Sequence, residues 1–408
     1  MGKEMGAVVF IKNEDIEQIM NAIVSKFGQE WNGSNVLPLV RDDVRCEIQV
    51  LCKFMGEDIK KSVNDMEHGM SDHMLSFPTD GADDVKGNLL HFITGANTAV
   101  LINIAECEGK DTGDTFIETY DDVMEIFNDI LKQFGGGVIA HSDASGFYDE
   151  NDEMILGDEG ECEVEDYFPF EYVDSPEFLS EATERQMNRR NENMKFLFDN
   201  KIFCIELPIN NDDEVVKIRS VEEIARRTVG VLLVSVYSEC LLNPGENMKC
   251  EEALKFIKKI ARTMNIDDLR EVMSPAEYAY VNNKKSKEEE RIEYSWNYEH
   301  LYALEWALGL NEWNMPVDIC NVGKCVEIMS KFSSIDDIIN NSNMRSKKEI
   351  LDKADLIYRM DWACVDAWIH GLTGPAQLNP GVTQARHKTL NWLINMDDAE
   401  WDDVSTPT

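Results

Sequence analysis

The sequence predicts an α+β protein: a two-layer α/β domain over residues 1–168, then an all-α domain over residues 215–408. Three observations lead there. At 408 residues the chain exceeds what one hydrophobic core organises, so two domains are expected. Strand and helix signals alternate in the first part, which favours helices laid on a sheet. Beyond residue 214 strand signals become scarce and helical apolar spacing takes over. The intervening residues 169–214 read as a charged helical connector, with Arg185, Arg189 and Arg190 among Glu181, Glu184 and Glu192.

The run 7–11, AVVFI, is apolar and β-branched, as a short strand requires. Ile16, Ile19, Met20, Ile23 and Phe27 follow at helical spacing, with Asn13 placed to cap the helix. Val44, Cys46, Ile48 and Val50 alternate with Arg45, Glu47 and Gln49, the mark of a half-buried strand. The run 99–105, AVLINIA, has the character of a central strand. Val123, Ile126, Phe127, Ile130, Leu131 and Phe134 line one face of a second helix. Thr119 can cap that helix and glycines 135–137 stop it. Runs 138–140 and 154–156 suit a closing hairpin about the polar turn 149–152. From 149 to 166 acids dominate and no Lys or Arg occurs, the pattern of a solvated loop. A calcium loop is disfavoured there, because Met154 stands where the required glycine would be.

In the second half, residues 202–207, IFCIEL, suit one short strand. Ser220 and Glu223 form a capping box that opens a long helix, with Ile224, Val231 and Leu232 turned inward. A charge run at 284–291 enters the next helix, 290–310, as a solvated loop. A second box, Ser346 with Glu349, opens the helix 344–368. Ile350, Leu351, Ala354, Ile357, Tyr358, Trp362, Val365 and Trp368 make that helix apolar almost all round, hence buried. Yet Asp355, Arg359, Asp361 and Asp366 lie within it, and buried charges require partners. A last helix spans 382–395.

Those partners are legible on the neighbouring helices. Glu299 shares a stripe with Trp296, Ala303 and Trp306, and Glu305 shares one with Tyr298, Leu301 and Leu308. Arg386 lies on the stripe of Val382, Leu390 and Leu393, and His387 sits beside Leu390 and Ile394. The pattern predicts a three-helix polar cluster of Glu299, Glu305, Asp355, Arg359, Asp366, Arg386 and His387. Within it Arg359 and Arg386 should meet some of the carboxylates, since the guanidinium fork bonds them at two points. Such a cluster either fixes helix packing or lines a polar pocket for a ligand or a reaction.

Other candidates are weaker. His68 and His73 are five residues apart, off a common helical face, and read as a flexible surface segment rather than a metal site. His141, Ser142 and Asp143 are adjacent in sequence and lack a Gly-x-Ser-x-Gly elbow. Glycines 135–137 follow a helix and lack the Lys-Ser/Thr of a phosphate loop. No catalytic residue is assigned, and neither metal nor cofactor is expected.

Composition narrows the partners. Acidic residues number 78 against 39 basic ones, a formal net charge of −39. Such a surface repels nucleic acid and anionic membrane and attracts a basic protein. Ten cysteines include no Cys-x-x-Cys, the spacing zinc ribbons and thioredoxin-type sites need. With no secretory signal and no bilayer-length apolar run, an acidic cytoplasmic protein with reduced cysteines is expected.

A family resemblance rests on Arg219-Ser220-Val221-Glu222-Glu223-Ile224-Ala225-Arg226-Arg227, Tyr298-Glu299 and Glu305-Trp306-Ala307-Leu308-Gly309-Leu310. It continues through Glu349-Ile350, Asp355-Leu356, Tyr358-Arg359, Trp362-Ala363 and Asp366-Ala367. Arg386-His387, Leu390-Asn391-Trp392-Leu393 and Trp401-Asp402-Asp403-Val404 complete it. On these residues the C-terminal half resembles the bacterial domain-of-unknown-function 4272 family. Ala385 departs from the Glu usual before Arg-His, and Pro407 interrupts an ending usually of Thr-Asp-Thr type. The resemblance implies an α-helical domain, marks the same polar residues, and implies no activity. The expected function is a non-enzymatic interaction module, immunity-like against a basic toxin. The alternative is an enzyme, or a small-ligand or metal-binding protein, built on the polar cluster.

Overall fold

A computed structural model describes residues 3–78, 81–143, 145–164, 166–173, 182–209, 213–242 and 248–408. The chain forms two compact units, Met1–Phe170 and Glu171–Thr408.

In the first unit β1 (Glu4–Ile11), β2 (Val36–Arg41), β3 (Val44–Cys52), β4 (Thr98–Glu106), β5 (Val138–His141), β6 (Gly146–Tyr148) and β7 (Met154–Gly157) form one sheet. Its order is β2-β3-β4-β1-β5-β6-β7, with antiparallel pairing throughout. Helices α1 (Ile16–Lys26), α2 (Glu57–Leu75), α3 (Asp83–Thr94) and α4 (Thr115–Gln133) accompany it. Ala7, Val9 and Ile11 of β1 join a core with Ile19, Ile23, Phe127 and Leu131 of α1 and α4. Phe10, on the alternate side, joins a core with Val63, Met74, Leu89 and Ile93 of α2 and α3. The predicted α+β class stands, and helices on both faces add a third layer to the expected two. The unbroken apolar run of β1 is what a strand covered on both faces needs.

Several local expectations are corrected. The cap of α1 is Asp15, whose Oδ1 accepts from the Gln18 N–H at 3.0 Å, while Asn13 accepts from the Asp15 N–H at 2.7 Å. Helix α4 begins at Thr115, so Thr119 lies inside it and its hydroxyl donates to the Thr115 carbonyl at 2.7 Å. The closing hairpin joins β6 to β7, whereas β5 pairs with β1 and β6. Asp149 shapes its turn by accepting from the N–H groups of Asn151 at 2.7 Å and Glu153 at 2.9 Å. β7 therefore interrupts the stretch read as one solvated loop. His68 and His73 belong to the regular helix α2, not to a flexible segment.

In the second unit the described elements are helices: α5 (Glu184–Asp199), α6 (Val221–Leu242), α7 (Cys250–Thr263), α8 (Pro275–Asn282), α9 (Glu288–Ser295), α10 (Asn297–Ala307), α11 (Val322–Met329), α12 (Ile335–Asn341), α13 (Lys347–Ile369) and α14 (Pro380–Leu393). Helix α6 is the hub, packed against α7, α9, α10 and α12. Its continuous run from Val229 to Val234 is buried on every side, as a central helix requires. Helix α13 packs on α14 and α5, and α10 bridges α6 and α14.

The expected connector does not stand apart. Arg189, Arg190, Asn193, Met194 and Leu197 of α5 are buried, and Arg189 reaches Asp352 of α13 at 3.0 Å. Its residues 174–181 and 210–212 lie outside the described residues. No strand forms at 202–207; Ile202, Cys204 and Leu207 instead enter the helical core. The helix predicted over 290–310 is two helices, α9 and α10, meeting at Trp296.

Helix α6 passes so close to the 272 segment that Gly230 has no room for a side chain. A Cβ there would lie 2.0 Å from the Val272 carbonyl oxygen and 2.7 Å from Arg227 Nη2. Gly230→Ala should therefore cost about 1–3 kcal/mol of stability despite alanine's better helix propensity. Denaturant unfolding tests this; an equal or more stable variant would contradict the packing.

Candidate functional site

The predicted polar residues sit where capped helices hold them. Ser346 and Glu349 start α13 reciprocally, the serine N–H donating to Glu349 Oε2 at 2.8 Å and Oγ accepting from Glu349 N–H at 3.3 Å. Asn379 caps α14, accepting from the Val382 N–H at 3.2 Å, and Pro380 occupies the first turn. These starts set the rotation that turns Asp355, Arg359, Asp361, Arg386 and His387 inward, and all five are buried.

The structure resolves the expected single cluster into separate pairs. Arg359, fully buried, forks onto Asp355 of its own helix, Nε to Oδ2 at 3.0 Å and Nη2 to Oδ1 at 3.0 Å. Asn193 of α5 donates to the same carboxylate at 2.8 Å. Burial opposes the charge on Arg359, yet the Asp355 carboxylate beside it carries its pKa above the ordinary value.

Arg386 meets Glu299 across the α14–α10 seam, Nε to Oε2 at 3.1 Å, and Nη1 donates to the Asn314 carbonyl at 2.8 Å. Its guanidinium lies over Tyr302, 4.4 Å from the ring centroid, and over Trp313 at 5.2 Å. The other Glu299 oxygen accepts from the Cys320 N–H. His387 Nδ1 lies 2.7 Å from Asp361 Oδ2 and borders a cavity of about 220 Å³ with Tyr358 and Asn391.

Two members stand elsewhere. Glu305 meets no arginine; it is fully buried, and Asn311 Nδ2 donates to its Oε2 at 3.1 Å. Burial pushes its carboxyl up to about 8, opposed by hydrogen bonds from Cys325 and Asn311. Asp366 is not in the interior group; it faces His370, Oδ2 to Nδ1 at 3.7 Å, with a side chain 20% exposed. It lies near the end of α13, beside the exposed Trp368 and Ile369.

A buried ion pair outside the expected cluster joins Arg227 of α6 to Glu277 of α8. Its available signal was the box Ser274-Pro275-Ala276-Glu277, in which the Glu277 N–H donates to Ser274 Oγ at 3.2 Å. Asp361 was visible as a buried charge, but its partner lies on α14, 26 residues away.

The pairs can anchor helices, and a carboxylate buried against an arginine offers little for attacking a substrate. Among the described residues no group of three or more His, Cys, Asp or Glu side chains could hold a metal ion. All ten cysteines are free thiols. No described helix is long and apolar enough to cross a membrane.

Among known proteins, the model of a family described as "Domain of unknown function (DUF4272)" matches residues 189–404. No curated protein and no solved structure matches the chain.

Arg359→Ala should cost about 3–5 kcal/mol, because it strands the buried Asp355 carboxylate. The double variant Arg359→Met, Asp355→Leu should regain most of that loss, measured by urea unfolding; equal losses would refute the pairing.

Glu305 adds a pH dependence. With its folded pKa raised, the native chain keeps a proton that the unfolded chain releases above the ordinary value of 4.5. Stability therefore falls as pH rises from 4.5 towards about 8 and levels off above it. Glu305→Gln should stabilise by about 1–3 kcal/mol at pH 8 and change little near pH 4.5, read from unfolding at both pH values.

Proposed function

The chain belongs to the DUF4272 family, and from that premise we propose a non-enzymatic interaction protein that captures a strongly basic protein partner. The observation that carries this reading is the net charge of −39 together with where the positive charges go. Arg227, Arg359 and Arg386 are buried against Glu277, Asp355 and Glu299, so these charges cancel in the interior. The acid surplus is then left to the solvent-facing surface, where it steers a cationic partner and accelerates its capture. An immunity-like role, neutralising a basic toxin, fits that physics. The sealed pairs of the polar cluster support a scaffold rather than a reaction centre.

One observation favours the second reading, an enzyme or ligand-binding protein using the same helices. His387, held by Asp361 at 2.7 Å, borders the small cavity shared with Tyr358 and Asn391. An oriented imidazole is the arrangement a general base uses.

The capture reading is tested by affinity purification from the native host at about 50 mM and about 500 mM salt, which changes the screening length more than twofold. A basic protein retained at low salt and released at high salt is the expected result. Recovery of no basic partner, or of one indifferent to salt, would sink the proposal.

A further inference from the structure

A cavity of about 560 Å³ opens in the helical unit, within the ~300–1,000 Å³ range of small-molecule sites. Helix α14 makes one wall. Gly381, Gln384, Ala385 and Lys388 recur at helical spacing, so they share one face, and all four line the cavity. Gly381 leaves room for an indole: a Cβ there would stand 3.1 Å from Cη2 of Trp296. Trp296, at the junction of α9 and α10, also lines the cavity and stays 38% exposed, so ring surface is open to a ligand. Tyr294 adds a second ring, held in place by stacking on Tyr280 at 4.1 Å.

Charges of both signs line the same cavity. Lys388 is half-buried, and Glu293 and Asp402 are exposed. Neither Lys388 nor Glu293 forms an ion pair among the described residues. Asp402 uses one oxygen, which accepts from the Ala276 N–H at 2.9 Å. The two signs stand apart. Lys388 Nζ lies 5.7 Å from the Trp401 ring centroid, and its charge adds to burial in pushing His300 down to about 3. Glu293 and Asp402 act instead on Tyr294, whose hydroxyl is pushed up by burial and then by the charges of Glu277, Glu293 and Asp402.

Those signs restrict the ligand. A simple anion meets Glu293, Asp402 and the field of a chain of net charge −39. A simple cation meets Lys388. A zwitterion answers both signs at once, and without net charge it is not excluded by the outer field.

We propose that this cavity binds a free α-amino acid with a large apolar or aromatic side chain. Its carboxylate meets Lys388, its ammonium meets Glu293 and Asp402, and its side chain lies against Trp296 and Tyr294. Charge-assisted hydrogen bonds at the two ends fix the orientation, and the rings supply the apolar contact. The buried Arg227–Glu277 pair takes no part.

The full chain is titrated by calorimetry with L-phenylalanine, L-tyrosine, L-tryptophan and L-leucine, and with glycine for comparison. The best binder is then compared with its amide, which lacks the carboxylate, and its N-acetyl form, which lacks the ammonium. At least one of the four should bind saturably, with glycine and both derivatives about tenfold or more weaker. Lys388→Met keeps the aliphatic stem and should weaken the amino acid about tenfold while leaving its amide unchanged. Glu293→Gln, at an exposed position, should weaken the amino acid severalfold while leaving its N-acetyl form unchanged. The assignment is overturned if none of the four binds, or if glycine or either derivative binds as tightly. Undiminished affinity in a folded Lys388→Met or Glu293→Gln protein overturns it equally.

Discussion

A charge carried into a helical interior must meet its opposite within hydrogen-bond reach, or the helices around it do not pack. The second unit obeys this constraint at one seam after another. Arg386 ties α14 to α10, Arg227 ties α6 to α8, Arg189 ties α5 to α13, and His387 ties α14 to α13. Around each cross-link the seam is apolar, so hydrophobic burial supplies most of the stabilisation and the polar link selects one rotation and register. Arginine suits the task because its planar fork satisfies two acceptors while its ring-like face lies on Tyr302 and Trp313. Specificity of helix packing is the property such links confer most reliably.

Most of the helical unit was legible because two periodicities agreed. Capping boxes at Ser220 and Ser346 marked helix starts, and the apolar stripes beyond them marked buried faces. Inward orientation of Asp355, Arg359, Arg386, Glu299, Glu305 and His387 followed from the same stripes. What periodicity cannot supply is the third dimension. It states which face a residue occupies but not which neighbour stands opposite, so separate pairs were merged into one cluster. Asp366 was misplaced for a related reason: the stripe of α13 continues past the point where neighbouring helices cover it, leaving Trp368 75% exposed.

In the sheet unit β1, β3, β4, β5 and β7 were visible, while β2, interrupted by Pro38, and β6 were not. Three residues, Gly146–Tyr148, are too short for a period to register. The helix caps failed locally because several side chains compete for the same backbone donors. At α1 Asn13 takes the Asp15 N–H and leaves the capping role to Asp15 itself.

The position of β1 within its sheet has a consequence for how the first unit is made. Glu4 pairs with Ala105 and Ala7 pairs with both Ile102 and His141, so the first strand synthesised is the centre of the sheet, not its edge. Its apolar residues must wait for partners about a hundred residues downstream, and closing such loops slows folding through their entropy. While the chain emerges from the ribosome, β1 is an exposed apolar strand with no neighbour, the kind of segment that recruits chaperones or aggregates. Assembly of the sheet around β1 is consequently a late event in the making of this unit.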